Sequence, residues 1–292
     1  MIYVIVGPTG VGKSSLALSY AKRNDALIIN GDAFQCYKEM LIGTAKPSLE
    51  ERNIVPHYLF DIASVTTPYT IYDYQKDLRK TLDELLKTGK DLIIVGGSGL
   101  YLKSALYDFD LAESNANVDM SKYEKLDNDS LYQELVNIDY EASLLIHKNN
   151  RKRVLRAIQI YLEAGEKKST LIAKQQHKLL YDVTFIGLEK EDRQDLYNLI
   201  NLRVDKMIEE GLLLEIESLM KKFPISLRAF QAIGYKEIME AYQNKTSIDL
   251  AIELVKKNSR NYAKRQYTYF KNQLPVNWFS SLEAALKFME EK

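Results

Sequence analysis

Residues 7–14 have the composition and spacing of a loop that binds phosphate groups. The run Gly7-Pro8-Thr9-Gly10-Val11-Gly12-Lys13-Ser14 matches the pattern G-x-x-x-x-G-K-[ST]. Its glycines let backbone N–H groups turn inward around phosphate oxygens, and the N-terminus of the following helix adds partial positive charge. Lys13 would reach the terminal phosphates, and the Ser14 hydroxyl could bind Mg²⁺. The pattern therefore predicts a site for a di- or triphosphate.

A carboxylate, Asp32, stands just after the second apolar run of the chain. If that run is a strand, Asp32 lies at the same edge of the sheet as the phosphate loop, where it could accept a proton from an acceptor beside the phosphates. It could also be an outer ligand of Mg²⁺ or a turn residue. The third apolar run ends in Gly96-Gly97, where ordinary P-loop NTPases carry an aspartate. These residues argue against an ordinary NTPase.

Apolar periodicity predicts the elements that position these residues. Strands are predicted at 2–6, 26–30 and 92–95, and helices at 13–22 and 69–87. This alternation of strand and helix is typical of a parallel sheet. We therefore predict an α/β fold, with a P-loop NTPase-like parallel sheet core flanked by helices.

The rest of the chain divides into two parts. Residues 108–180 are polar and charged, which predicts a mostly helical insertion after the first part of the core at 1–107. Residues 181–292 would complete the core and add C-terminal helices. The elements predicted there are strands at 183–188 and 275–279 and helices at 196–208, 213–221, 235–243 and 248–272.

Positive charge is concentrated in the C-terminal half, although the net charge of the 292-residue chain is zero. Residues 108–148 carry 10 acidic and 3 basic side chains, whereas residues 149–292 carry 25 basic and 19 acidic ones. Residues 254–282 contain six bases and no acid, and a second basic cluster lies at 151–156. Such segregation can give a neutral protein a local anion-binding surface, although a solvated helix face is an alternative.

Composition limits the remaining classes of function. A single cysteine, Cys36, excludes a disulfide framework and a cysteine-rich zinc site, and three histidines far apart in sequence disfavour a histidine metal centre. No apolar stretch approaches the ~20 residues that span a membrane, and the first strand begins at Ile2, which leaves no room for a signal peptide. We therefore expect a cytoplasmic protein without membrane contact, and we expect a monomer.

Further strings follow the phosphate loop in a fixed order. They are GDAFQCY (31–37), IGTAKP (42–47), HYLFD (57–61), GGSGLY (96–101), NRKRVLRA (150–157), RVDKM (203–207), QAIGYKE (231–237) and YAKRQ (262–266). This order resembles the tRNA dimethylallyltransferases, also called tRNA isopentenylpyrophosphate transferases, over residues 2–275. That family transfers a dimethylallyl group from dimethylallyl diphosphate to N6 of adenosine 37, on the 3′ side of the tRNA anticodon, and releases diphosphate.

The resemblance implies how the phosphate end of the site works. The implied diphosphate ligands are Gly7, Pro8, Thr9, Gly10, Val11, Gly12, Lys13, Ser14, Thr44 and Arg203. Lys13, and Mg²⁺ bound through Ser14, would stabilise the charge that develops as the allylic C–O bond breaks. Asp32 would accept the N6 proton, because the exocyclic amine is a poor nucleophile until it sheds that proton. The implied catalytic residues are Asp32, Lys13, Thr9 and Arg203.

The resemblance also implies contacts with the anticodon stem-loop of tRNA. A target base stacked in the anticodon loop must be flipped out to reach a buried site. The implied tRNA-binding residues are Asp32, Ala33, Phe34, Gln35, Ser98, Asn150, Arg151, Lys152, Arg153, Gln231, Gly234, Lys264 and Arg265. The insertion at 108–180 would therefore contact tRNA, as would the basic surface of 181–292.

Several of these assignments have alternatives, and the chain departs from the family pattern in places. Thr44 could be a loop residue, Ser98 a turn residue and Arg203 a surface charge on an amphipathic helix. Ser14 and Ser98 stand where the family usually has threonine, which keeps the hydroxyl in both cases. The stretch 108–129 is short and acidic for the family, which leaves open how the insertion approaches tRNA.

Other functions share part of the pattern. A small-molecule P-loop kinase could use Asp32 to activate a hydroxyl, but a compact kinase would not need the C-terminal half. An isopentenyltransferase acting on free adenylate shares the phosphate loop, whereas the basic clusters and the run 231–237 favour tRNA. A non-enzymatic RNA-binding module would not require Lys13, Ser14 and Asp32 together.

Overall fold

The computed structural model describes residues 1–109, 111 and 118–292. They form two compact units, a core unit of Met1–Leu106 and Tyr181–Lys292 and a helical unit of Tyr107–Leu180. Part of the acidic stretch 108–129 therefore lies outside the described residues. The roles that the sequence assigns to 1–107, 108–180 and 181–292 stay predictions.

Within the described residues, the core unit is built on a six-stranded parallel sheet. The strands are β1 Ile2–Val6, β2 Leu27–Asn30, β3 His57–Tyr58, β4 Leu92–Val95, β5 Thr184–Leu188 and β6 Asn277–Phe279. Their order is β3-β2-β4-β1-β5-β6. Every residue of β1, β2, β4 and β5 is buried, as expected of a parallel sheet covered on both faces. The sheet confirms the predicted α/β fold class.

The helices surround this sheet or form the helical unit. In chain order they are α1 Lys13–Asn24, α2 Leu49–Ile54, α3 Ile71–Leu85, α4 Gly99–Leu106, α5 Ser121–Glu124, α6 Asn128–Ile138, α7 Tyr140–Leu145, α8 Arg151–Ala164, α9 Lys168–Ala173, α10 Arg193–Glu209, α11 Leu212–Lys222, α12 Tyr235–Tyr242, α13 Ile248–Gln273 and α14 Leu282–Glu290. Short 3₁₀ turns lie at Leu86–Thr88 and Arg228–Gln231. In the part of the chain described, no helix is both long and apolar enough to cross a membrane.

Among the described residues, two of the apolar cores of the core unit position the site. One lies between the sheet and the helices α1 and α14, with Tyr3, Ile5 and Leu16 among its buried residues. The other joins the segment after β2 to helices α10–α13, and it includes Met40 and Tyr235. The second core brings α10 and α13, which are far from the phosphate loop in sequence, to the same end of the sheet as that loop.

The helical unit has a core of its own between α6 and α8. Leu131 and Leu135 of α6 and Val154 and Ile158 of α8 are fully buried there. The buried Asp139 carboxylate caps α7 and accepts hydrogen bonds from the Ser169 backbone N–H at 2.9 Å and hydroxyl at 2.6 Å. The unit is helical, as its composition predicts.

Candidate active site

The phosphate loop connects β1 to α1. Gly7 and Gly12 have φ values of +132° and +97°, which side-chain-bearing residues rarely adopt. A Cβ atom on Gly7 would lie 2.4 Å from the Leu188 carbonyl oxygen of β5, so a larger residue does not fit. Lys13 Nζ donates to the Pro8 carbonyl oxygen at 2.8 Å, which folds the lysine back over the loop. The loop therefore has the backbone that a phosphate site requires.

A hydrogen-bonded turn after β2 fixes Asp32. The buried side chain of Asn30 accepts from the Asp32 backbone N–H at 2.8 Å and donates to the Asp32 and Leu59 carbonyl oxygens at 3.0 and 3.1 Å. The Asp32 Oδ1 atom accepts from the Phe34 backbone N–H at 2.9 Å. The carboxylate is thus held at the edge of the sheet where β1 and β2 end.

One cavity of about 290 Å³ joins this carboxylate to the phosphate loop. The predicted site residues that line it are Thr9, Gly10, Gly12, Lys13, Ser14, Asp32, Gln35, Thr44 and Arg203. Residues from β1, β2 and α10 therefore meet in one space, as the resemblance implies. We call this space the phosphate cavity.

The charges of the phosphate cavity are unbalanced. Burial and the nearby Arg203 guanidinium together lower the pKa of Lys13 to about 7, although Asp32 acts in the opposite direction. Burial raises the pKa of Asp32, against the opposing effects of the Phe34 N–H, Lys13 and Arg203. Arg203 makes no hydrogen bond or ion pair with any residue that the structure describes. Two partly buried cations beside one carboxylate favour an anionic ligand.

A second cavity, of about 300 Å³, adjoins the first. Both are lined by Thr9, Asp32, Thr44 and Arg203. The other walls are largely aliphatic and include Ile200, Val204, Met207, Ile233 and Val255. This apolar cavity lies directly beside the anion-binding groups.

A third cavity, of about 390 Å³, has an aromatic lining. Its aromatic residues are Phe34, Tyr37, Tyr69, Tyr101, Tyr262 and Tyr269. Ala33, Ser98 and Gln231 also line it, and Arg228 and Arg265 supply positive charge. Aromatic faces and guanidinium groups together suit the stacking of nucleic-acid bases.

One residue that the sequence reasoning did not select, Gln266 of α13, ties two loops of the site together. Its Oε1 atom accepts from the Thr9 backbone N–H at 2.9 Å, and its Nε2 atom donates to the Gly97 carbonyl oxygen at 3.0 Å. The hydroxyl of Tyr262, also on α13, donates to the same carbonyl at 3.4 Å. Gln266 belongs to the string YAKRQ, in which only the charged residues Lys264 and Arg265 are implied to bind tRNA.

Comparison with known proteins gives the family. The model of the IPP transferase family matches residues 35–273. Over 283 residues, the chain is 41% identical to a tRNA dimethylallyltransferase of Bacillus mycoides and 43% identical to one of Bacillus cereus, covering 95% of this chain and 89% of each relative. The chain belongs to the IPP transferase family. Its membership confirms the resemblance that the ordered strings indicate.

Solved structures of the IPP transferase family agree with this assignment. The tRNA delta(2)-isopentenylpyrophosphate transferase of Staphylococcus epidermidis is 38% identical, with a TM-score of 0.74, and the match covers 99% of this chain and 97% of that one. A eukaryotic dimethylallyltransferase acting on tRNA is 29% identical, with a TM-score of 0.82, and the match covers 97% of this chain and 74% of that one.

Not every predicted residue lines the cavities of this IPP transferase family member. Gly7, Pro8 and Val11 do not line the phosphate cavity, and the Val11 side chain packs in the core beneath it. The Thr44 hydroxyl donates to its own turn, at 2.9 Å from the Met40 carbonyl oxygen. To donate to a phosphate oxygen, the Thr44 hydroxyl would have to rotate away from this carbonyl.

The predicted tRNA contacts fall into three groups. Asp32, Ala33, Phe34, Gln35, Ser98, Gln231, Gly234 and Arg265 line at least one of the three cavities. Lys264 lines none of them, and its Nζ atom lies 5.6 Å from the centre of the Tyr197 ring on α10. Asn150, Arg151, Lys152 and Arg153 belong to the first turn of α8 in the helical unit, where Arg151 donates to the Glu124 carbonyl oxygen at 2.7 Å.

Replacing Gln266 tests its role in this IPP transferase family member. We expect Gln266→Ala to weaken the binding of inorganic diphosphate about tenfold, because the phosphate loop loses its link to Gly97 and the Thr9 N–H loses its partner. Isothermal titration calorimetry measures the affinity, with Gln273→Ala, an exposed position on the same helix, as the control. Unchanged affinity in Gln266→Ala would show that the loop keeps its shape without this link.

Proposed function

We propose that this protein transfers a dimethylallyl group from dimethylallyl diphosphate to N6 of adenosine 37 in tRNA. The products are N6-(dimethylallyl)adenosine and diphosphate. The observation that carries the proposal is the meeting of a cationic phosphate cavity with an apolar cavity at Thr9, Asp32, Thr44 and Arg203. A prenyl diphosphate has an anionic part and an apolar part, so it needs both environments. The substrates of a nucleotide kinase do not require aliphatic side chains beside their phosphates.

The leaving group would lie in the phosphate cavity. The bond between the allylic carbon and the bridging oxygen of diphosphate breaks, and its electron pair stays on diphosphate. Lys13 and Arg203 would stabilise the charge that grows on that oxygen, because both are desolvated before the reaction begins. Backbone N–H groups at the start of α1 add to this stabilisation.

The nucleophile would be the adenine N6 nitrogen. As the new N6–C bond forms, Asp32 accepts one N6 proton, so the product nitrogen is neutral and the carboxyl becomes protonated. The hydrogen bond from Phe34 N–H holds Oδ1 in place, and burial raises the pKa of Asp32, which makes it a stronger base than an exposed aspartate. The carboxyl then returns its proton to solvent.

The donor set around the phosphate cavity fits Mg²⁺. Among the described residues, no cluster of three or more His, Cys, Asp or Glu side chains could hold a metal by itself. Mg²⁺ would instead be held by the Ser14 hydroxyl, which lines the cavity, together with substrate phosphates and water. When bound, Mg²⁺ would neutralise charge on the diphosphate.

The acceptor adenosine would enter through the aromatic cavity. Phe34, Tyr262 and Arg265 line both that cavity and the apolar cavity, so a base flipped out of the anticodon loop could pass along them toward Asp32. The relatives named as tRNA dimethylallyltransferases support tRNA as the acceptor. We propose a cytoplasmic location to match a tRNA substrate, and the monomeric state stays a prediction.

A comparison of acceptors tests this function. The protein is incubated with labelled dimethylallyl diphosphate and Mg²⁺ together with unmodified tRNA, AMP or ATP. We expect label in tRNA alone. Label in AMP or ATP would assign the protein to the free-adenylate enzymes, and phosphoryl transfer from ATP without prenyl transfer would assign it to the kinases.

A further inference from the structure

The carboxylate of Glu215 on α11 holds the turn that precedes Thr44. Its Oε2 atom accepts from the Leu41 and Ile42 backbone N–H groups at 3.2 and 2.9 Å. Its Oε1 atom accepts from the Gly43 N–H at 3.5 Å. Three successive backbone donors therefore converge on one side chain that is more than 170 residues away in sequence.

Tyr235 of α12 supports this carboxylate from the other side. Its hydroxyl donates to Glu215 Oε1 at 2.5 Å, and burial together with the neighbouring carboxylate raises the pKa of Tyr235, so the donor proton is retained. The ring also packs against Gly43, where a Cβ atom would lie 2.5 Å from a ring carbon. The turn is thus pressed onto a fully buried aromatic ring.

The second half of the same segment is fixed by other groups. The Gln35 Nε2 atom donates to the Thr44 and Ala45 carbonyl oxygens at 2.9 and 3.1 Å. Lys46 donates to the Tyr37 carbonyl oxygen at 2.5 Å. The first half, in contrast, has its three N–H groups on Glu215. The turn is closed internally by the Ala45 N–H, which donates to the Ile42 carbonyl oxygen at 2.9 Å. Without the Glu215 carboxylate, its three N–H groups would lose their link to α11, while the residues after Thr44 would keep their contacts.

We propose that Glu215 is a positioning residue that sets Thr44 at the junction of the phosphate and apolar cavities. The inference rests on the proposed function, because it gives that junction the task of holding dimethylallyl diphosphate. Gly43 and Thr44 both line the apolar cavity, and Thr44 also lines the phosphate cavity. A loosened turn would therefore disturb the prenyl diphosphate directly.

The variant Glu215→Gln tests this role. It keeps the side-chain size but turns one oxygen into an NH₂ group that faces backbone N–H groups. We expect the KM for dimethylallyl diphosphate to rise about tenfold, while kcat and the KM for tRNA stay within about twofold of the wild type. Glu217→Gln, an exposed position on the same helix that pairs with Lys221, is the matched control and should change neither constant.

A second variant and a binding measurement keep the test decisive. Tyr235→Phe retains the carboxylate and its three backbone bonds, so we expect only a two- to fourfold rise in the KM for dimethylallyl diphosphate. The inference is overturned if Glu215→Gln leaves that KM unchanged, or if both KM values, kcat and the melting temperature shift together, as a purely structural role requires. If the wild type transfers no prenyl group, the proposed function alone is overturned. Calorimetric titration of each variant with dimethylallyl diphosphate still tests the role of Glu215 in that case.

Discussion

Asp32→Asn should slow dimethylallyl transfer by about 10²–10⁴-fold, the usual contribution of a general base. The amide oxygen of asparagine can still accept from the Phe34 N–H, so the turn after β2 keeps its geometry. The amide cannot accept the N6 proton, however, so the attacking nitrogen would carry positive charge. Diphosphate should still bind, because the groups that attract it, Lys13, Arg203 and the backbone N–H groups of the loop, are unchanged.

The pH profile separates this explanation from a structural one. Burial raises the pKa of Asp32, so the carboxylate is protonated, and lost as a base, at a higher pH than an exposed aspartate would be. The wild-type rate should therefore fall as pH decreases through that raised pKa, and the residual rate of Asp32→Asn should lack this acid limb. Asp25→Asn, an exposed position that pairs with Lys90, is the control. Full activity in Asp32→Asn would remove Asp32 from the role of base.

Lys13→Ala should lower kcat/KM for dimethylallyl diphosphate by about 10²–10³-fold, comparable to the loss of one preorganised group that stabilises transition-state charge. The variant leaves Arg203 as the remaining cation among the described residues that line the phosphate cavity. We expect both weaker diphosphate binding and a slower chemical step, because the charge on the leaving oxygen grows as the C–O bond breaks.

Steady-state kinetics and diphosphate titration measure these two effects separately. Lys22→Ala, an exposed position on the same helix, should match the wild type in both. If Lys13→Ala binds diphosphate normally and turns over at the wild-type rate, the loop at 7–14 is not where the leaving group lies.

Features with local signals were predictable from the sequence. The phosphate loop, β1 and β4 follow from glycine spacing and short β-branched runs, and the structure gives both strands the predicted bounds. At the start of α3, the Thr70 hydroxyl caps the helix by accepting from the Asp73 backbone N–H. In contrast, the sequence did not predict α2, α4 and α14, which span six to nine residues, although it did predict the eight-residue α12.

Features that depend on tertiary contacts were not predictable in the same way. Gln266 bonds to Thr9 across 257 positions, and no local pattern marks a neutral side chain on a helix as part of a phosphate loop. The role of Glu215 could not be predicted for the same reason, because its bonds to the backbone of residues 41–43 span more than 170 positions. Lys264, chosen for its charge, lies near the Tyr197 ring and lines a surface cavity with Arg265, so its contact with tRNA stays a prediction. Clustered charge predicts an anion-binding surface on a helix, but the direction of each side chain depends on packing.

The structure gives Lys46, in the string IGTAKP, a structural role and not a chemical one. In IGTAKP, the side chain of Lys46 is only 1% exposed and pairs with Asp61 at 2.6 Å, and Arg52 pairs with the same carboxylate. Lys46 does not line the phosphate cavity, although its neighbours Ala45 and Pro47 do. The pair therefore fixes the segment that follows Thr44.

The most direct test follows both products in one reaction. Labelled dimethylallyl diphosphate is incubated with excess enzyme and anticodon stem-loop RNAs that carry adenosine or guanosine at position 37, and labelled nucleoside and free diphosphate are quantified together. The proposed function predicts one diphosphate released for each N6-(dimethylallyl)adenosine formed, and neither product with guanosine. Equal labelling of both RNAs, or diphosphate release without labelled adenosine, would contradict it.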